Sequence, residues 1–317
     1  MLKRKKMTKF VQLFIVSVLL VTPLFSQAGI TVTDSQGNKQ LAQYAQRIVV
    51  LNWDLAEQIL ELGVTPVGMP DIAGYKEWVS KPEVPAEVQD IGTRVEPNYE
   101  KIAALKPDVI IFASPQADLQ SKLELIAPVL FYQTFSASHD NAQAAIDNFL
   151  NLAGVVNRQE LAEQKLKAMA DKLGDLKQRL LLAYDGELPK VTTMRFASTT
   201  SVFLYGGNSM PEYALKQLGI KPALDLPVTQ WGIVQKRISD LHTITDGTVL
   251  YFEPFDKKQA LSRSRLWQSM PFVRGKRVNS VATSWSYGGA MSIQYIAEGI
   301  TESLLALAAK SNEMSAN

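Results

Sequence analysis

Short apolar runs alternate with stretches of helical periodicity through the first half of the chain. Each apolar run is four to six residues long and carries almost no charge, as expected for strands of a parallel sheet covered on both faces. These runs are residues 47–52, 65–69, 109–112 and 129–132. The stretches with helical spacing are residues 55–62, 100–105 and 119–126. The alternation predicts an α/β layer with a mostly parallel sheet.

The middle of the chain, residues 141–183, contains no strand pattern. Apolar side chains recur there at helical spacing, at Leu161, Leu166, Met169, Leu173, Leu176 and Leu180. The stripe predicts one helix of about 25 residues, which would span roughly 37 Å. Such a helix can be a long surface helix or a strut between two lobes, and the pattern alone leaves both open.

The second half of the chain returns to alternating strands and helices. Its predicted strands are residues 190–196, 201–205, 248–252 and 277–281, and its predicted helices are residues 211–218 and 290–309. We therefore predict two α/β lobes, residues 29–148 and 184–317. A single long helix within residues 149–183 is expected to join them.

Residues 1–28 have the pattern of a secretory signal peptide. Five basic residues precede an apolar core at Phe10–Leu20, and a small-x-small site ends at Ala28. The apolar core is short for a membrane span. An N-terminal anchor helix is the alternative. We predict cleavage after Ala28.

Charge and cysteine content narrow the function classes. The chain has 33 Lys and Arg against 31 Asp and Glu, and loss of the five bases in residues 1–28 leaves 28 against 31, a net charge of −3. No basic surface then remains for a nucleic-acid partner. The chain has no cysteine, so its exported form needs a self-sufficient core and has no acceptor for a lipid anchor. A soluble, monomeric protein of the periplasm is the resulting expectation.

Catalytic and metal-binding motifs are sparse. The chain has no G-x-S-x-G, Walker A or H-E-x-x-H motif. Its two histidines, His139 and His242, lie in different halves, whereas zinc sites draw several ligands from His and Cys. We therefore predict neither an enzyme nor a protein that binds a bare metal ion, and no protein cofactor.

Aromatic residues occupy loops that follow predicted strands. In open α/β sheets, ligands bind beyond the carboxyl ends of the strands, so rings in these loops can line a cleft. Core packing is the alternative for any single ring. The residues concerned are Trp53, Trp78, Trp231, Trp285 and Tyr287. Trp267 lies in a helix-like segment, and we expect it to pack in the core.

Arg94 lies in a turn, residues 92–98, that leads into a predicted helix. Its guanidinium can pair with a nearby acid such as Glu96. It can instead present planar donors to a ligand oxygen. The local sequence leaves both open.

Several segments, taken in order, resemble the periplasmic ferric-hydroxamate-binding proteins of bacterial iron-uptake systems. The segments include Arg47–Trp53, Arg94–Asn98, Trp231–Gly232, Leu266–Arg274 and Trp285–Gly288. The likeness extends from about residue 47 to the C-terminus. It implies two α/β lobes joined by one long helix, a shallow cleft between them and little hinge motion. It also implies that the protein delivers an iron(III)–siderophore to an ABC permease and its ATPase, with iron held only through the siderophore.

The resemblance also implies which residues bind. Arg94 and the five loop aromatics named above correspond to the family's ligand contacts, and Gln116 stands where the family has a ligand-facing tyrosine. Acidic residues that dock each lobe onto the permease correspond to Glu212 on the second lobe. On the first lobe the choice is Asp118 or Glu124.

Charge favours a hydroxamate chelate over its rivals. Ferric iron with three hydroxamates is close to neutral and needs apolar walls with a few donors. A ferric tris-catecholate keeps a triple negative charge and calls for clustered cations, whereas the aromatic loops contain Arg94 as their one evident cation. The same architecture could bind a catecholate or carboxylate siderophore, haem or cobalamin. A siderophore-processing enzyme and an adhesive exported protein are more distant alternatives.

Overall fold

The protein is described from a computed structural model, which covers the backbone of residues 29–316 and the side chains of residues 29–311. The predicted signal peptide therefore lies outside the described residues. Within them, no helix combines the length and the apolar character that crossing a bilayer requires. An antiparallel hairpin opens the described chain, formed by β1 (Ile30–Asp34) and β2 (Gly37–Leu41). The hydrophobic pattern did not predict this hairpin.

The first lobe contains a five-stranded parallel sheet. Its strands are β3 (Ile48–Val50), β4 (Gly68–Met69), β5 (Gln89–Asp90), β6 (Val109–Ala113) and β7 (Val129–Tyr132), in the order β5-β4-β3-β6-β7. The helices of this region are α1 (Trp53–Glu61), α2 (Ile72–Trp78), α3 (Tyr99–Ala104), α4 (Gln120–Leu123) and α5 (Asn141–Val155). Every residue of β3 and β6 is buried, which explains their uninterrupted apolar sequence.

Polar caps fix the points at which the chain leaves the sheet. Asn52 ends the β3 run, and its side chain accepts a hydrogen bond from the backbone N–H of Trp53 (3.0 Å). Asp71 caps α2 by accepting from the N–H of Gly74 (3.1 Å). Such caps satisfy amide groups that a helix start leaves free. They place both helix N-termini just beyond the carboxyl ends of β3 and β4.

The long helix predicted from the leucine stripe is α6 (Gln159–Ala183), with 25 residues. It packs against α5, which precedes it in the sequence, and against helices of the second lobe, which follow it. Its buried residues include Met169, Leu173 and Leu180, members of the stripe. Each five-stranded sheet is built from one continuous stretch of chain on either side of α6. The prediction of two α/β lobes joined by a long helix is confirmed.

The second lobe also contains five strands, but its sheet is mixed. Its strands are β8 (Val191–Phe196), β9 (Ser201–Tyr205), β10 (Ile233–Arg237), β11 (Thr248–Phe252) and β12 (Val278–Val281), in the order β10-β9-β8-β11-β12. The pairs β8–β9 and β9–β10 are antiparallel, and β8, β11 and β12 run parallel. The sequence did not predict β10, an edge strand whose residues are all partly or fully exposed.

Five α-helices complete the second lobe. They are α7 (Met210–Gln217), α8 (Lys258–Ser262), α9 (Arg265–Ser269), α10 (Pro271–Arg274) and α11 (Ser292–Ala316). Helix α11 packs against α6, α7 and β12. The largest apolar cluster includes buried residues of both lobes together with α5, α6 and α11. The two lobes therefore share a continuous core.

Candidate functional site

A cavity of about 280 Å³ lies between the lobes, where the carboxyl ends of β3, β4, β11 and β12 point. Its lining residues from the first lobe are Trp53, Asp71, Gly74, Trp78 and Arg94. Those from the second lobe are Arg195, Phe196, Tyr205, Phe252, Glu253, Pro254 and the segment Ser284, Trp285, Ser286 and Tyr287. The cavity thus draws on strand ends and loops of both sheets.

The cavity brings five of the predicted site residues together. Trp53, Trp78, Arg94, Trp285 and Tyr287 all line it. The Trp285 ring packs edge-on against Trp53 and against Tyr287, with ring centroids 5.4 Å apart in each pair. Trp53 itself is only 2% exposed, and its indole N–H donates to the carbonyl of Pro70 (3.0 Å). It therefore forms the floor of the site more than its wall.

Arg94 lies over this floor. The central guanidinium carbon is 3.8 Å from the centroid of the Trp53 ring, a cation–π arrangement. Burial lowers the pKa of Arg94, and the carboxylates of Asp71 and Asp54 oppose that shift. Arg94 makes no ion pair with Glu96 among the described residues. Its donor groups are therefore available to an oxygen-rich ligand.

Two predicted residues lie elsewhere. Gln116 does not line the cavity: it is 2% exposed and donates to the carbonyl of Arg94 (3.1 Å). Gln116 therefore holds the backbone of the loop that carries Arg94 and does not itself face the cavity. Trp231 lies beside the cavity and does not line it, at 39% exposure. Its ring stacks on Phe135 at 5.3 Å and meets Tyr287 edge-on at 6.0 Å, so it extends the aromatic wall outward.

A second arginine, Arg195, lines the cavity and was not predicted from the sequence. It lies on β8, and its guanidinium carbon is 4.4 Å from the ring centroid of Phe203. Its buried Nε–H has no hydrogen-bond partner among the described groups. The expectation that Arg94 is the one evident cation applies to the loops and does not extend to the strands. A single charge inside the apolar run of a strand gave no signal of a binding role.

Tyr205 was also not predicted, because it too lies in a strand and not in a loop. It ends β9, and its hydroxyl lies 2.6 Å from the Ser286 hydroxyl in a buried contact. Burial raises its pKa far above the ordinary tyrosine value, so the hydroxyl stays protonated. Tyr205 therefore ties β9 to the loop that carries Trp285 and Tyr287.

The two acids that line the cavity are occupied by their own chain. Asp71 caps α2, as described above. Glu253 pairs with Lys258 (2.5 Å) and accepts from the N–H of Phe255 (2.9 Å). Arg195 keeps a buried donor without a partner, while each of the two acids already has a partner within its own chain. The cavity is therefore disposed to receive negatively polarised oxygen atoms.

Three acidic residues, Asp54, Glu57 and Glu61, follow one another along the buried face of α1. Glu57 accepts hydrogen bonds from the N–H of Gly289 (3.1 Å) and from the Ser292 hydroxyl (2.8 Å). Burial raises its pKa to about 8 and that of Asp54 to about 7. Glu61 pairs with Lys165 of α6 and accepts from the Tyr295 hydroxyl, each at 2.5 Å. These contacts attach α1 of the first lobe to α6 and α11.

The residues predicted to dock a permease lie on separate lobes. Asp118 and Glu124 are exposed on the first lobe, and Glu212 is partly buried in the first turn of α7 on the second. Trp267 is buried, and its ring packs edge-on against Phe196 at 5.5 Å, as a core residue would. Among the described residues, no group of three or more His, Asp or Glu side chains could hold a metal ion.

Comparisons with known proteins bear on this site. Residues 48–282 match the family described as periplasmic binding protein. The chain is similar to the iron(3+)-hydroxamate-binding protein FhuD of Escherichia coli (strain K12), with 32% identity over 251 residues, or 78% of this chain and 83% of the relative. It is also similar to the Fe(3+)-citrate-binding protein YfmC of Bacillus subtilis (strain 168), with 26% identity over 77% of this chain and 76% of the relative.

A solved structure gives a stronger likeness. It is the siderophore-binding protein FhuD from Vibrio cholerae bound to Fe3+–Desferal. The alignment has a TM-score of 0.82 and 55% sequence identity, and it covers 83% of this chain and 98% of that chain.

Proposed function

This chain belongs to the periplasmic binding protein family, and from that premise we propose that it binds an iron(III)–siderophore of the hydroxamate type in the cavity between its lobes and delivers it to an inner-membrane ABC importer. One observation carries the proposal. The cavity combines an arginine laid over a tryptophan with a wall of further aromatic rings. The likeness to ferric-hydroxamate-binding relatives supports the same ligand class.

The chemistry of such a chelate matches the lining. Three hydroxamates cancel the charge of ferric iron and leave an apolar body with partly negative oxygens around the metal. Aromatic rings bury the body, and a few fixed donors orient the oxygens. Arg94 supplies planar donors at the floor of the cavity. Iron is then cargo, held through the siderophore and not by protein side chains.

Arg195 joins the proposed contacts. Its unpartnered Nε–H and its position on β8 support a second donor, supplied by the other lobe. Two arginines suit a near-neutral chelate with exposed oxygens. A triply charged catecholate would call for more clustered cations than the cavity offers.

We propose that the protein binds without turnover. The family is one of substrate-binding proteins, and the cavity combines arginines and aromatic rings without a nucleophile–base pair from Ser, His and Asp among its lining residues. A chelate that binds should therefore leave unchanged. Recovery of an intact ferric chelate after prolonged incubation would support binding alone, and a cleaved or reduced chelate would support a processing enzyme.

Delivery requires export and docking. We propose that residues 1–28 are removed and that residues 29–317 act as a monomer in the periplasm, with lobes 29–148 and 184–317 joined through residues 149–183. Glu212 on one lobe and Asp118 or Glu124 on the other would contact the permease, whose ATPase drives uptake. The exposure of Asp118 and Glu124 on the first lobe and the partial exposure of Glu212 on the second support a two-point contact.

The proposal can be tested without choosing a ligand in advance. The protein would be purified from the periplasm of iron-starved cells, and intact-mass spectrometry under non-denaturing conditions would identify what it carries. We expect a mature chain that begins at Gly29 with one ferric hydroxamate bound. A catecholate, a carboxylate siderophore, haem or cobalamin in its place would overturn the ligand class. An unprocessed N-terminus would overturn the proposed export.

A further inference from the structure

A separate contact between the lobes lies beside Trp231, and Asn141 is at its centre. Asn141 is the first residue of α5 and is 1% exposed. Its side-chain N–H groups donate to the carbonyls of Asn208 and Gln230 in the second lobe, both at 2.9 Å. Its side-chain oxygen accepts from the N–H of Ser136 (2.9 Å). Both side-chain N–H groups and the oxygen of this buried amide therefore have hydrogen-bond partners.

Asn208 returns the contact from the second lobe. Its side-chain oxygen accepts from the N–H of Asn141 (2.8 Å), and its amide donates to the carbonyl of Ser136 (2.8 Å). It has a positive φ of 74°, a backbone conformation that Asn tolerates better than most residues. We call Asn141 and Asn208 together the amide bridge. It joins the loop before α5 to the loop before α7.

The amide bridge holds the backbone next to Phe135 and next to Trp231, whose rings form the outer aromatic stack. Gln230, whose carbonyl Asn141 binds, immediately precedes Trp231. Ser136, whose backbone both asparagines bind, immediately follows Phe135. The Phe135 and Trp231 rings stack at 5.3 Å with planes 25° apart. The same two side chains therefore fix both rings of a stack formed across the lobes.

The backbone beyond Trp231 is also fixed. Gly232 has a φ of +65°, and a Cβ there would lie 2.4 Å from the backbone nitrogen of Ser209. The N–H of Ile233 donates to the Thr229 hydroxyl (3.0 Å). Trp231 is thus 39% exposed on a loop whose backbone is held on both sides. A ring on a backbone that is already held in place loses less conformational entropy when a ligand binds to it.

We propose that the amide bridge positions Trp231 for the siderophore and so prepares the outer wall of the cavity before the ligand arrives. Asn141 is a positioning residue in this scheme, since it acts through the Trp231 loop. The proposal rests on the proposed function for its ligand. The part that concerns the order of the Trp231 side chain in the free protein does not depend on which ligand binds.

The first test uses Asn141→Asp, which keeps shape but replaces two donors by an oxygen that faces two carbonyls. Asn148→Asp is the matched control, because Asn148 is a buried asparagine on the same helix whose amide donates to the carbonyl of Gln133 within the first lobe (3.3 Å). Asn208→Gly is the second variant, because glycine tolerates the positive φ and removes the side chain. It keeps the proposal testable if Asn141→Asp fails to fold.

Affinity for ferric desferrioxamine would be measured in each variant, alone and combined with Trp231→Ala. We expect Asn141→Asp and Asn208→Gly to weaken binding about ten-fold, and Asn148→Asp to change it by less than about two-fold. In the Trp231→Ala background, the bridge variants should add less than about two-fold, because the residue they position is gone. Equal losses with and without Trp231, or an equal loss in Asn148→Asp, would overturn the positioning role.

A second readout needs no ligand. With 5-fluorotryptophan incorporated, the fluorine resonance of Trp231 would be assigned from Trp231→Phe. We expect Asn141→Asp to shift or broaden it while the Trp267 resonance stays unchanged. An unchanged Trp231 resonance contradicts the proposal even if binding is intact. If the wild type binds no ferric hydroxamate but the resonance responds as expected, the proposed ligand fails and the positioning of Trp231 stands.

Discussion

The two lobes each offer the cavity an arginine that lies over an aromatic ring, but they carry it on different elements. Arg94 of the first lobe is on an irregular loop, 3.8 Å from the Trp53 ring. Arg195 of the second lobe is on a strand of the sheet, 4.4 Å from the Phe203 ring. A ring beneath each guanidinium restricts its orientation and leaves its edge donors for other partners. The lobes reach a similar presentation by different local structures.

The difference lies in what surrounds each guanidinium. Asp54 and Asp71 are close enough to Arg94 to oppose the lowering of its pKa by burial. Arg195 instead lies close to the protonated hydroxyl of Tyr205. The first lobe therefore contributes a charge-compensated donor above the indole floor, and the second a donor fixed by sheet hydrogen bonds. We expect ligand affinity to depend more on Arg94, which combines the donor with the floor.

Arg94→Ala tests the larger half of this comparison. A hydrogen bond to a charged group contributes about 1.5–3 kcal/mol, so the substitution should weaken binding of ferric desferrioxamine by about ten- to a hundred-fold. Isothermal titration calorimetry would measure the dissociation constant. Arg94→Lys, which keeps the charge without the planar donors, should recover only part of the loss. An unchanged constant in Arg94→Ala would return this residue to a structural role.

Trp285→Ala tests the aromatic wall that the two lobes share. Removing a ring that covers part of the ligand should weaken binding by about five- to thirty-fold, from about 1–2 kcal/mol of lost apolar contact. Trp231→Ala should act in the same direction, and each should reduce ligand-induced fluorescence quenching. Trp267→Ala is the control, because Trp267 is buried in the second lobe's core. Loss of affinity in a folded Trp267→Ala, with none in Trp285→Ala, would contradict the assignment.

Arg195→Gln tests the second-lobe donor and should have a smaller effect, a weakening of about three- to ten-fold for a hydroxamate chelate. The loss should grow with an anionic chelate, since a charge is removed along with a donor. Arg179→Gln removes a surface arginine that pairs with Glu302 (2.9 Å) and serves as the charge control. Equal effects of the two variants would show that Arg195 acts only through net charge.

The effect expected of Glu57 concerns stability and not affinity. Burial raises the pKa of Glu57 to about 8, so the folded protein holds a proton that the unfolded chain releases near the ordinary glutamate value of 4.5. Its contribution to stability is full below that value and is lost as pH rises towards 8. Other titratable groups surround the same buried face, and these are Lys165, Tyr75, Tyr295, Asp54 and Glu61.

The free energy of unfolding of the wild type, followed by thermal unfolding, should therefore fall between about pH 5 and 8, with Glu57 contributing about 1 kcal/mol per pH unit. Glu57→Gln cannot ionise and should flatten this part of the curve. Glu298→Gln, at a partly exposed position of α11, is the control and should leave the slope unchanged. Parallel curves for wild type and Glu57→Gln would show that Glu57 is ionised across this range.

The sequence anticipated the parts of the fold that periodicity encodes. The apolar runs placed β3, β6, β7, β8, β9 and β11 within a residue or two, and the leucine stripe placed α6. The hairpin β1–β2 and the edge strand β10 were missed because their partly exposed residues lack an apolar run. The family resemblance is confirmed by the match to periplasmic binding proteins.

The residues of the candidate site also fall into those that the sequence predicted and those that it did not. Loop residues such as Arg94 and Trp285 stood out because exposed loops do not ordinarily need large or planar side chains. Arg195 and Tyr205 did not stand out, since each lies in a predicted strand and only the folded structure brings them to the cavity. The amide bridge was also invisible, because it joins residues 67 positions apart in sequence. Contacts set by tertiary pairing require the structure.

A fluorescence titration with ferric desferrioxamine tests the central claim most directly. Trp53, Trp78 and Trp285 line the cavity, so an iron chelate bound there lies close to three indoles and should quench their emission saturably. Iron-free desferrioxamine should bind at least about ten-fold more weakly, because it lacks the fixed shape that iron imposes. Ferric enterobactin, a triply charged catecholate, should also bind more weakly than the hydroxamate. The account predicts saturable quenching at micromolar ferric desferrioxamine or below. No saturable quenching at that concentration, or equal affinity for the iron-free chelator, would contradict it.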